Sequence, residues 1–150
     1  MKRAIFPGSF DPFTIGHDDI VQRGLKIFDE VIIGIGRNSQ KHESFPIRER
    51  EAAIQKIYQG NPRVKVMIYD GLTFEFAKAN DAQFILRGVR GMADYEYERN
   101  LAEANLHLGG IETILLYTRP ELAYISSSLV RDLCQYNQDV SSLVPNKKKL

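Results

Sequence analysis

The feature that most constrains the fold of this chain is a repeated alternation of short apolar runs with stretches of helical periodicity. One run, Val31-Ile32-Ile33-Gly34-Ile35, is almost continuously apolar, which is typical of a parallel strand covered by helices on both faces. Strands that alternate with helices predict βαβ units and therefore a parallel sheet. The five strands that we expect are Ala4 to Phe6, Val31 to Ile35, Val64 to Tyr69, Phe84 to Leu86 and Thr113 to Tyr117.

The intervening segments each have one apolar helical face. The pattern predicts an α/β class with a Rossmann-like, five-stranded parallel sheet and helices on both of its faces, in a single domain over residues 1–150. The faces that we expect to pack inward are Ile20, Val21, Leu25 and Phe28; Ala53, Ile54 and Ile57 in a helix from about Pro46 to Gln59; Leu72, Phe76 and Ala77; Tyr97, Leu101, Ala104 and Leu108; and Leu129, Val130 and Leu133 in a helix that begins near Ser127.

The charge balance limits the possible partners. Twenty Lys and Arg against nineteen Asp and Glu give a net charge of +1, which indicates neither nucleic acid nor a membrane. No apolar stretch approaches the roughly 20 residues of a membrane span, and the initial apolar run is too short for a signal peptide. Cys134 has no cysteine to pair with, and we expect it to be buried. The sequence predicts a cytoplasmic chain with a solvated tail from Ser141, mobile from about residue 146.

The turn after the first strand is a candidate ligand site, because ligands bind at the carboxyl ends of strands in open parallel sheets. It reads Pro7-Gly8-Ser9-Phe10-Asp11-Pro12-Phe13-Thr14-Ile15-Gly16-His17 and leads into a helix. A helix start suits phosphate, and the spacing of Thr14 and His17 lets both side chains face one anion. The alternative is that the glycines ease a tight connection while His17 caps or packs. The spacing matches neither a dinucleotide-binding turn nor a P-loop.

Polar residues also follow the later strands. Residues 37–42 form a basic loop containing Lys41 and His42, and Thr73 stands at the start of the short helix. The alternative for the loop is a solvated surface, and the alternative for Thr73 is an ordinary helix-start residue.

Two arginines follow the fourth strand, and a serine run follows the fifth. Arg87 and Arg90 suit bidentate phosphate binding, although ion pairs with Asp94 or Glu96 are the alternative. Ser126-Ser127-Ser128, with Arg131 one turn later, begins the last helix. Capping explains one serine, and a polyphosphate at the helix start explains three better.

These motifs together resemble a known family. The run Gly8-Ser9-Phe10-Asp11-Pro12, followed by Thr14-x-Gly16-His17, resembles the signature of the nucleotidyltransferase superfamily. The later motifs, from Arg87 to Glu98 and from Ile125 to Arg131, resemble those of the phosphopantetheine adenylyltransferase family, and the resemblance extends from Lys2 to about Pro145. It implies a nucleotidyltransferase-type fold and transfer of the adenylyl group of ATP to 4'-phosphopantetheine, giving dephospho-coenzyme A and pyrophosphate in coenzyme A biosynthesis.

The resemblance also implies site residues. His17 is expected to be catalytic, stabilising charge on the α-phosphate. Two positions differ from what is common in the family: His42 replaces a lysine, and Leu122 replaces an aromatic residue near the adenine. Residues implied at ATP are Ser9, Phe10, His17, Gly88, Val89, Arg90, Glu98, Leu122, Ala123, Tyr124, Ile125, Ser126, Ser127, Ser128 and Arg131. Those implied at the acceptor are Ser9, Lys41, Thr73 and Arg87.

The implied reaction is an in-line attack of the acceptor phosphate on the α-phosphorus of ATP. The nucleophile is already ionised, so the site must orient anions and neutralise charge rather than remove a proton. Mg²⁺ is expected on the ATP phosphates, with no protein ligand assigned. A homohexamer and coenzyme A as a feedback ligand are implied by resemblance alone. The alternatives are another adenylyl- or cytidylyltransferase of the superfamily and a non-catalytic nucleotide-binding domain.

Overall fold

The computed structural model describes residues 1–38, 40 and 42–145, and its strands form one sheet. The strands are β1 (Arg3–Gly8), β2 (Glu30–Gly36), β3 (Val64–Tyr69), β4 (Phe84–Val89) and β5 (Glu112–Tyr117). All neighbouring pairs are parallel, in the order β3-β2-β1-β4-β5. The predicted α/β class is confirmed, and each predicted strand lies within an observed one.

Five α-helices connect or follow these strands: α1 (Ile15–Gly24), α2 (Ile47–Ile57), α3 (Thr73–Ala79), α4 (Met92–Gly109) and α5 (Ser127–Gln135), with a 3₁₀ turn (Pro120–Leu122) before α5. Helix α2 is shorter than predicted, and Ala53 is exposed rather than turned inward. The buried stripe of α2 is Ile47, Arg50 and Ile54, which leaves Ala53 to one side of it. Within the described part of the chain, no helix is long and apolar enough to cross a membrane.

The two faces of the sheet carry separate cores. Ala4 and Phe6 of β1 belong to a core that includes side chains of α1 and α2, whereas Ile5 packs in another core that includes Phe76 of α3. Successive strand residues point to opposite faces, so this alternation shows that helices cover both faces. The prediction of helices on both faces is confirmed.

Helix α4 differs from the prediction. The face formed by Tyr97, Leu101, Ala104 and Leu108 was expected to pack inward, and all four residues are exposed. The buried residues of α4 are instead Glu98 and Gly109. A Cβ at Gly109 would lie 2.5 Å from Phe74, so α4 approaches α3 closely at its end. Periodicity identified an apolar face correctly but did not show what covers it.

The segment after α5 also differs from the prediction. Leu143 is buried in a cluster with Ile125 and Val130, and the Ile15 N–H donates to the Leu143 carbonyl at 2.9 Å. The solvated tail predicted from Ser141 is therefore wrong at residues 143–145, although Ser141 and Ser142 are exposed, and the tail from 146 lies outside the described residues. Cys134, expected to be buried, is exposed, because α5 packs through Val130 and Leu133.

Candidate active site

Two neighbouring cavities open beyond the carboxyl ends of β1 and β4, where the strand order reverses direction. The first cavity has a volume of about 350 Å³, and the second has about 570 Å³. Six residues line both cavities, and we call them the shared wall: Pro7, Gly8, Ser9, Arg87, Tyr97 and Glu98. A ligand in one cavity therefore lies next to a ligand in the other.

The start of α1 fixes the orientation of His17 in the first cavity. The Thr14 N–H donates to His17 Nδ1 at 2.9 Å, and the His17 N–H donates to Thr14 Oγ1 at 3.3 Å, so the two residues form a reciprocal capping box. Nδ1 is thus an acceptor, and in the neutral ring the proton lies on Nε2. The expected capping role of His17 is real, but it leaves one ring N–H for a ligand.

Partial burial among aromatic side chains keeps the His17 ring neutral. Its centroid lies 5.0 Å from that of Phe10 and 5.3 Å from that of Phe13. This desolvation, together with the positive charges of Arg87 and Arg90, lowers the pKa of His17 to about 3. At neutral pH, His17 is therefore a hydrogen-bond donor without charge.

Glycine is required where the first turn closes on itself. A Cβ at Gly8 would lie 2.9 Å from the ring of Phe10, which is itself only 3% exposed. Phe10 has a φ of 47°, in the left-handed region that few residues other than glycine adopt. The turn is therefore tightly specified in both its side chains and its backbone.

A partly buried ion pair holds Arg87 in the shared wall. Its Nε and Nη2 donate to the two carboxylate oxygens of Glu98 at 2.8 and 2.6 Å, and its Nη1 donates to the Pro7 carbonyl. Desolvation opposes the charge of Arg87, but Glu98 outweighs it, and the pKa of Arg87 is raised. These bonds to described residues use three of the five N–H donors, and the others can bind an anion.

The other two arginines of the first cavity differ in their partners. Arg90 pairs with Asp94 at 3.1 Å, so the ion-pair alternative is realised for this side chain. Arg131 donates to the Asp11 carbonyl at 2.9 Å and to Ser128 Oγ at 3.1 Å. Among the described residues that line this cavity, Arg131 is the one arginine without a carboxylate partner.

The three serines at the start of α5 have three different partners. Ser126 Oγ accepts from the Leu129 N–H at 3.1 Å and so caps the helix. Ser127 Oγ donates to the Pro12 carbonyl at 2.7 Å, which ties α5 to the first turn. Ser128 Oγ binds Arg131, as described above. All three line the first cavity, so the helix start faces His17 across it.

The second cavity is more apolar. Leu72, Leu101 and Leu108 line it, and each is exposed. Thr73 Oγ1 lies 3.0 Å from the Tyr69 hydroxyl at the same cavity. An elongated ligand with an apolar arm and an anionic end fits a cavity of this kind, with the anionic end at Arg87.

The structure brings most of the predicted site residues together. Within the described ranges, the predicted residues that line neither cavity are Val89, Leu122, Ala123 and Tyr124; Lys41 lies outside the described residues. Leu122 packs against the cluster of Ile125 and Val130. The predicted residues that line the first cavity are Ser9, Phe10, His17, Arg87, Gly88, Arg90, Glu98, Ile125, Ser126, Ser127, Ser128 and Arg131. The predicted residue Thr73 lines the second cavity.

Two charged residues next to the site were missed. Asp11 and Arg50 are 3% and 5% exposed, and both bind the segment before α2 as well as neighbouring groups. A signal for Arg50 was present in the sequence, because it stands between Ile47 and Ile54 on the apolar face of α2. A charge on an apolar helical face is unusual unless it is paired.

The described part of the chain contains no cluster of three or more His, Cys, Asp or Glu placed to hold a metal ion.

Comparison with known proteins identifies close relatives in sequence. A family model described as cytidylyltransferase-like matches residues 5–133. The phosphopantetheine adenylyltransferase of Bacteroides thetaiotaomicron is 55% identical over 97% of this chain and 96% of its own length. Those of Phocaeicola vulgatus and Cytophaga hutchinsonii are 53% and 50% identical, over 100% and 97% of this chain and 99% and 98% of their own lengths.

Solved structures with lower sequence identity share the fold. A lipopolysaccharide core biosynthesis protein from Thermoplasma volcanium matches with a TM-score of 0.56 and 21% identity, over 79% of this chain and 97% of its own. The NadR protein, in a complex with NAD and AMP-PNP, matches with a TM-score of 0.62 and 16% identity, over 90% of this chain and 43% of its own.

Proposed function

Since the chain belongs to the phosphopantetheine adenylyltransferases within the cytidylyltransferase-like family, we propose that it transfers the adenylyl group of ATP to 4'-phosphopantetheine. The products are dephospho-coenzyme A and pyrophosphate, so the reaction is a step of coenzyme A biosynthesis. The observation that supports this proposal is the pair of cavities with a shared wall, which would hold a nucleotide and a second anion side by side.

The first cavity is the proposed ATP site. Its anion-binding groups are the start of α5 and Arg131, which suit the β- and γ-phosphates of the leaving pyrophosphate. His17 donates its Nε2–H to the α-phosphate, and this bond strengthens as charge develops in the transition state. A neutral donor avoids the cost of burying a further charge in the first turn.

The second cavity is the proposed acceptor site. Arg87 holds the phosphate of phosphopantetheine in the shared wall, with Lys41 as a predicted second cation. The pantetheine arm extends past Thr73 and Leu72 toward the apolar face of α4. In this proposal the acceptor phosphate lies next to the α-phosphorus at the shared wall, and in-line attack requires that proximity.

Charge neutralisation favours a metal ion in the reaction. Arg87 and Arg90 each have a carboxylate partner, so the described residues supply little net positive charge for the phosphates of ATP. Mg²⁺ bound through phosphate oxygens would supply the missing charge and orient the leaving group. We therefore include Mg²⁺ in the proposal, with its ligands coming from the substrate and water.

The remaining features of the proposal come from the family resemblance: a homohexamer, a cytoplasmic location and feedback binding of coenzyme A. The assembly and the feedback binding each have a direct measurement. Sedimentation gives the mass of the assembly, and competition between coenzyme A and ATP gives the feedback constant.

Pyrophosphate release tests the reaction itself. Purified protein with ATP and Mg²⁺ is given phosphopantetheine, pantetheine or nicotinamide mononucleotide in parallel. Phosphopantetheine should react fastest, and pantetheine should not react, because it lacks the attacking phosphate oxygen and leaves the two remaining N–H donors of Arg87 without a ligand. Equal or faster release with the mononucleotide would overturn the choice of acceptor while leaving adenylyl transfer intact.

A further inference from the structure

We propose that Arg50, together with Asp11, is a positioning residue for adenylyl transfer, because it fixes the backbone of Ser9 in the shared wall and of Phe10 beside it. This inference rests on the proposed function. Neither residue lines the first cavity, so neither is a candidate to contact ATP there. Both act through the turn that they hold.

Arg50 joins the first turn to the segment before α2 through three hydrogen bonds. Its Nε donates to the Phe45 carbonyl at 2.8 Å, its Nη1 to the Ser9 carbonyl at 2.5 Å and its Nη2 to the Glu43 carboxylate at 2.8 Å. Lysine, with one nitrogen on a flexible stem, cannot reproduce this planar arrangement. The guanidinium therefore fixes the distance between the shared wall and the segment that leads into α2.

Asp11 makes the matching contacts from the first turn. Its two carboxylate oxygens accept from the N–H groups of Ser44 and Phe45, each at 2.9 Å. Its own carbonyl accepts from Arg131, a proposed ATP-binding residue, at 2.9 Å. The network thus reaches from the start of α2 to α5 through the first turn.

The turn needs such support because of its backbone. Phe10, with its φ of 47°, lies between the two anchored residues, and left-handed backbone at a bulky residue persists only where the surroundings fix it. Burying two charged groups carries a desolvation penalty, and each group must be fully hydrogen-bonded to offset it. Arg50 binds Ser9, and Asp11 follows Phe10, so the two charged groups anchor the backbone on both sides of Phe10.

Displacement of this turn would affect both substrates. Ser9 lines both cavities, and the ring of Phe10 packs edge-on against His17. A shift of the Ser9 carbonyl would therefore move the shared wall and loosen the packing of the proposed catalytic ring. We expect the loss to appear in kcat, with a smaller rise in both KM values.

Arg63 offers a matched control. Its side chain also makes three hydrogen bonds to another part of the chain, donating to the carbonyls of Leu25, Phe28 and Asp29 at 2.5, 2.8 and 3.0 Å. These bonds lie near the amino-terminal ends of the strands, and Arg63 lines neither cavity. Arg63→Lys should lower the melting temperature without affecting turnover.

The experiment measures pyrophosphate release with ATP and phosphopantetheine in wild type, Arg50→Lys, Asp11→Asn and Arg63→Lys, alongside thermal melting of each. At a temperature where all four are folded, we expect Arg50→Lys and Asp11→Asn to lower kcat by about tenfold or more. Arg63→Lys should keep kcat within about twofold of wild type, whatever its melting temperature.

A milder variant covers the case in which Arg50→Lys does not fold. Glu43→Gln keeps an oxygen acceptor for Arg50 but removes its charge partner, and it should lower kcat by a few-fold. Unchanged kcat in the folded Arg50 and Asp11 variants, or in Glu43→Gln if those fail to fold, would overturn the inference. Absence of pyrophosphate release in wild type would instead overturn the proposed function.

Discussion

The two cavities differ in how much of their structure is set before any ligand arrives. In the first cavity, His17 is fixed by a capping box, Arg87 by a bidentate ion pair, and each serine of α5 by its own partner. In the second cavity, Leu72 and the apolar face of α4 are exposed. The first is organised by hydrogen bonds within the protein, and the second presents apolar surface that a ligand can cover.

This difference matches the chemistry proposed for each side. Charge development at the α-phosphorus requires donors that are already aimed, since reorganisation during the reaction would cost much of their benefit. An elongated acceptor gains affinity by burying apolar surface, which needs area more than exact angles. Substitutions in the first cavity should therefore change turnover, and those in the second should change acceptor binding.

The largest expected effect comes from the first cavity. His17→Ala should lower kcat by about 100-fold or more while the KM for ATP stays within a few-fold, because the Nε2–H donor acts mainly in the transition state. Steady-state pyrophosphate release measures both constants. His107→Ala is the control, since His107 is exposed on α4 beside Glu103, and it should behave as wild type. Near-normal turnover of His17→Ala would remove His17 from the mechanism.

A smaller effect is expected at the shared wall. Arg87→Lys should raise the KM for phosphopantetheine by about tenfold and that for ATP by less, because lysine cannot bind Glu98 and a phosphate in one plane. Arg90→Lys is the comparison, since Arg90 lines only the first cavity, and its main effect should be on ATP. A larger change in the ATP constant for Arg87→Lys would reverse the assignment of the cavities.

The second cavity should respond more weakly still. Leu101→Ala should raise the KM for phosphopantetheine by about fivefold and leave kcat unchanged, because it removes apolar surface from the acceptor site. Leu106→Ala is a matched control: both leucines are 39% exposed, and only Leu101 lines a cavity. Equal constants for the two variants would show that this face of α4 does not contact the acceptor.

The smallest effect concerns stability and pH. The pKa of His17 is lowered to about 3, whereas an unfolded histidine titrates near 6.5. The unfolded state therefore binds the proton first as the pH falls, and His17 reduces stability progressively below about pH 6.5. Between pH 7 and pH 6, the free energy of unfolding should fall by about 0.7 kcal/mol more in wild type than in His17→Gln. Urea titrations at the two pH values measure this difference. An equal fall in the free energy of unfolding in wild type and in His17→Gln would contradict the lowered pKa of His17.

Sequence predicted the first cavity better than the second for a physical reason. Its ligand groups stand in short motifs at strand ends, where the parallel sheet brings them together. The Arg87–Glu98 pair joins residues eleven positions apart, on β4 and α4, and no local pattern marks it. The same holds for the contact of Arg50 with Ser9, which depends on where α2 packs.

Periodicity accounts for the successes and errors in the helices. Ile54 and Val130 were correctly turned inward, since a helix on a sheet buries a stripe of that spacing. The face of α4 has the same pattern, but in the structure it borders a cavity. A sequence pattern identifies an apolar helical face, but it does not show whether protein or ligand covers that face.

The shared wall also has a consequence for inhibitor chemistry. Because one guanidinium borders both cavities, a single molecule could place a nucleotide in one and a pantetheine-like arm in the other, joined by a linker only a few atoms long. Once one end binds, a short flexible linker holds the other at a local concentration in the millimolar range. Two ends of modest affinity would then act as one ligand, with a gain of roughly 10²- to 10⁴-fold over either alone.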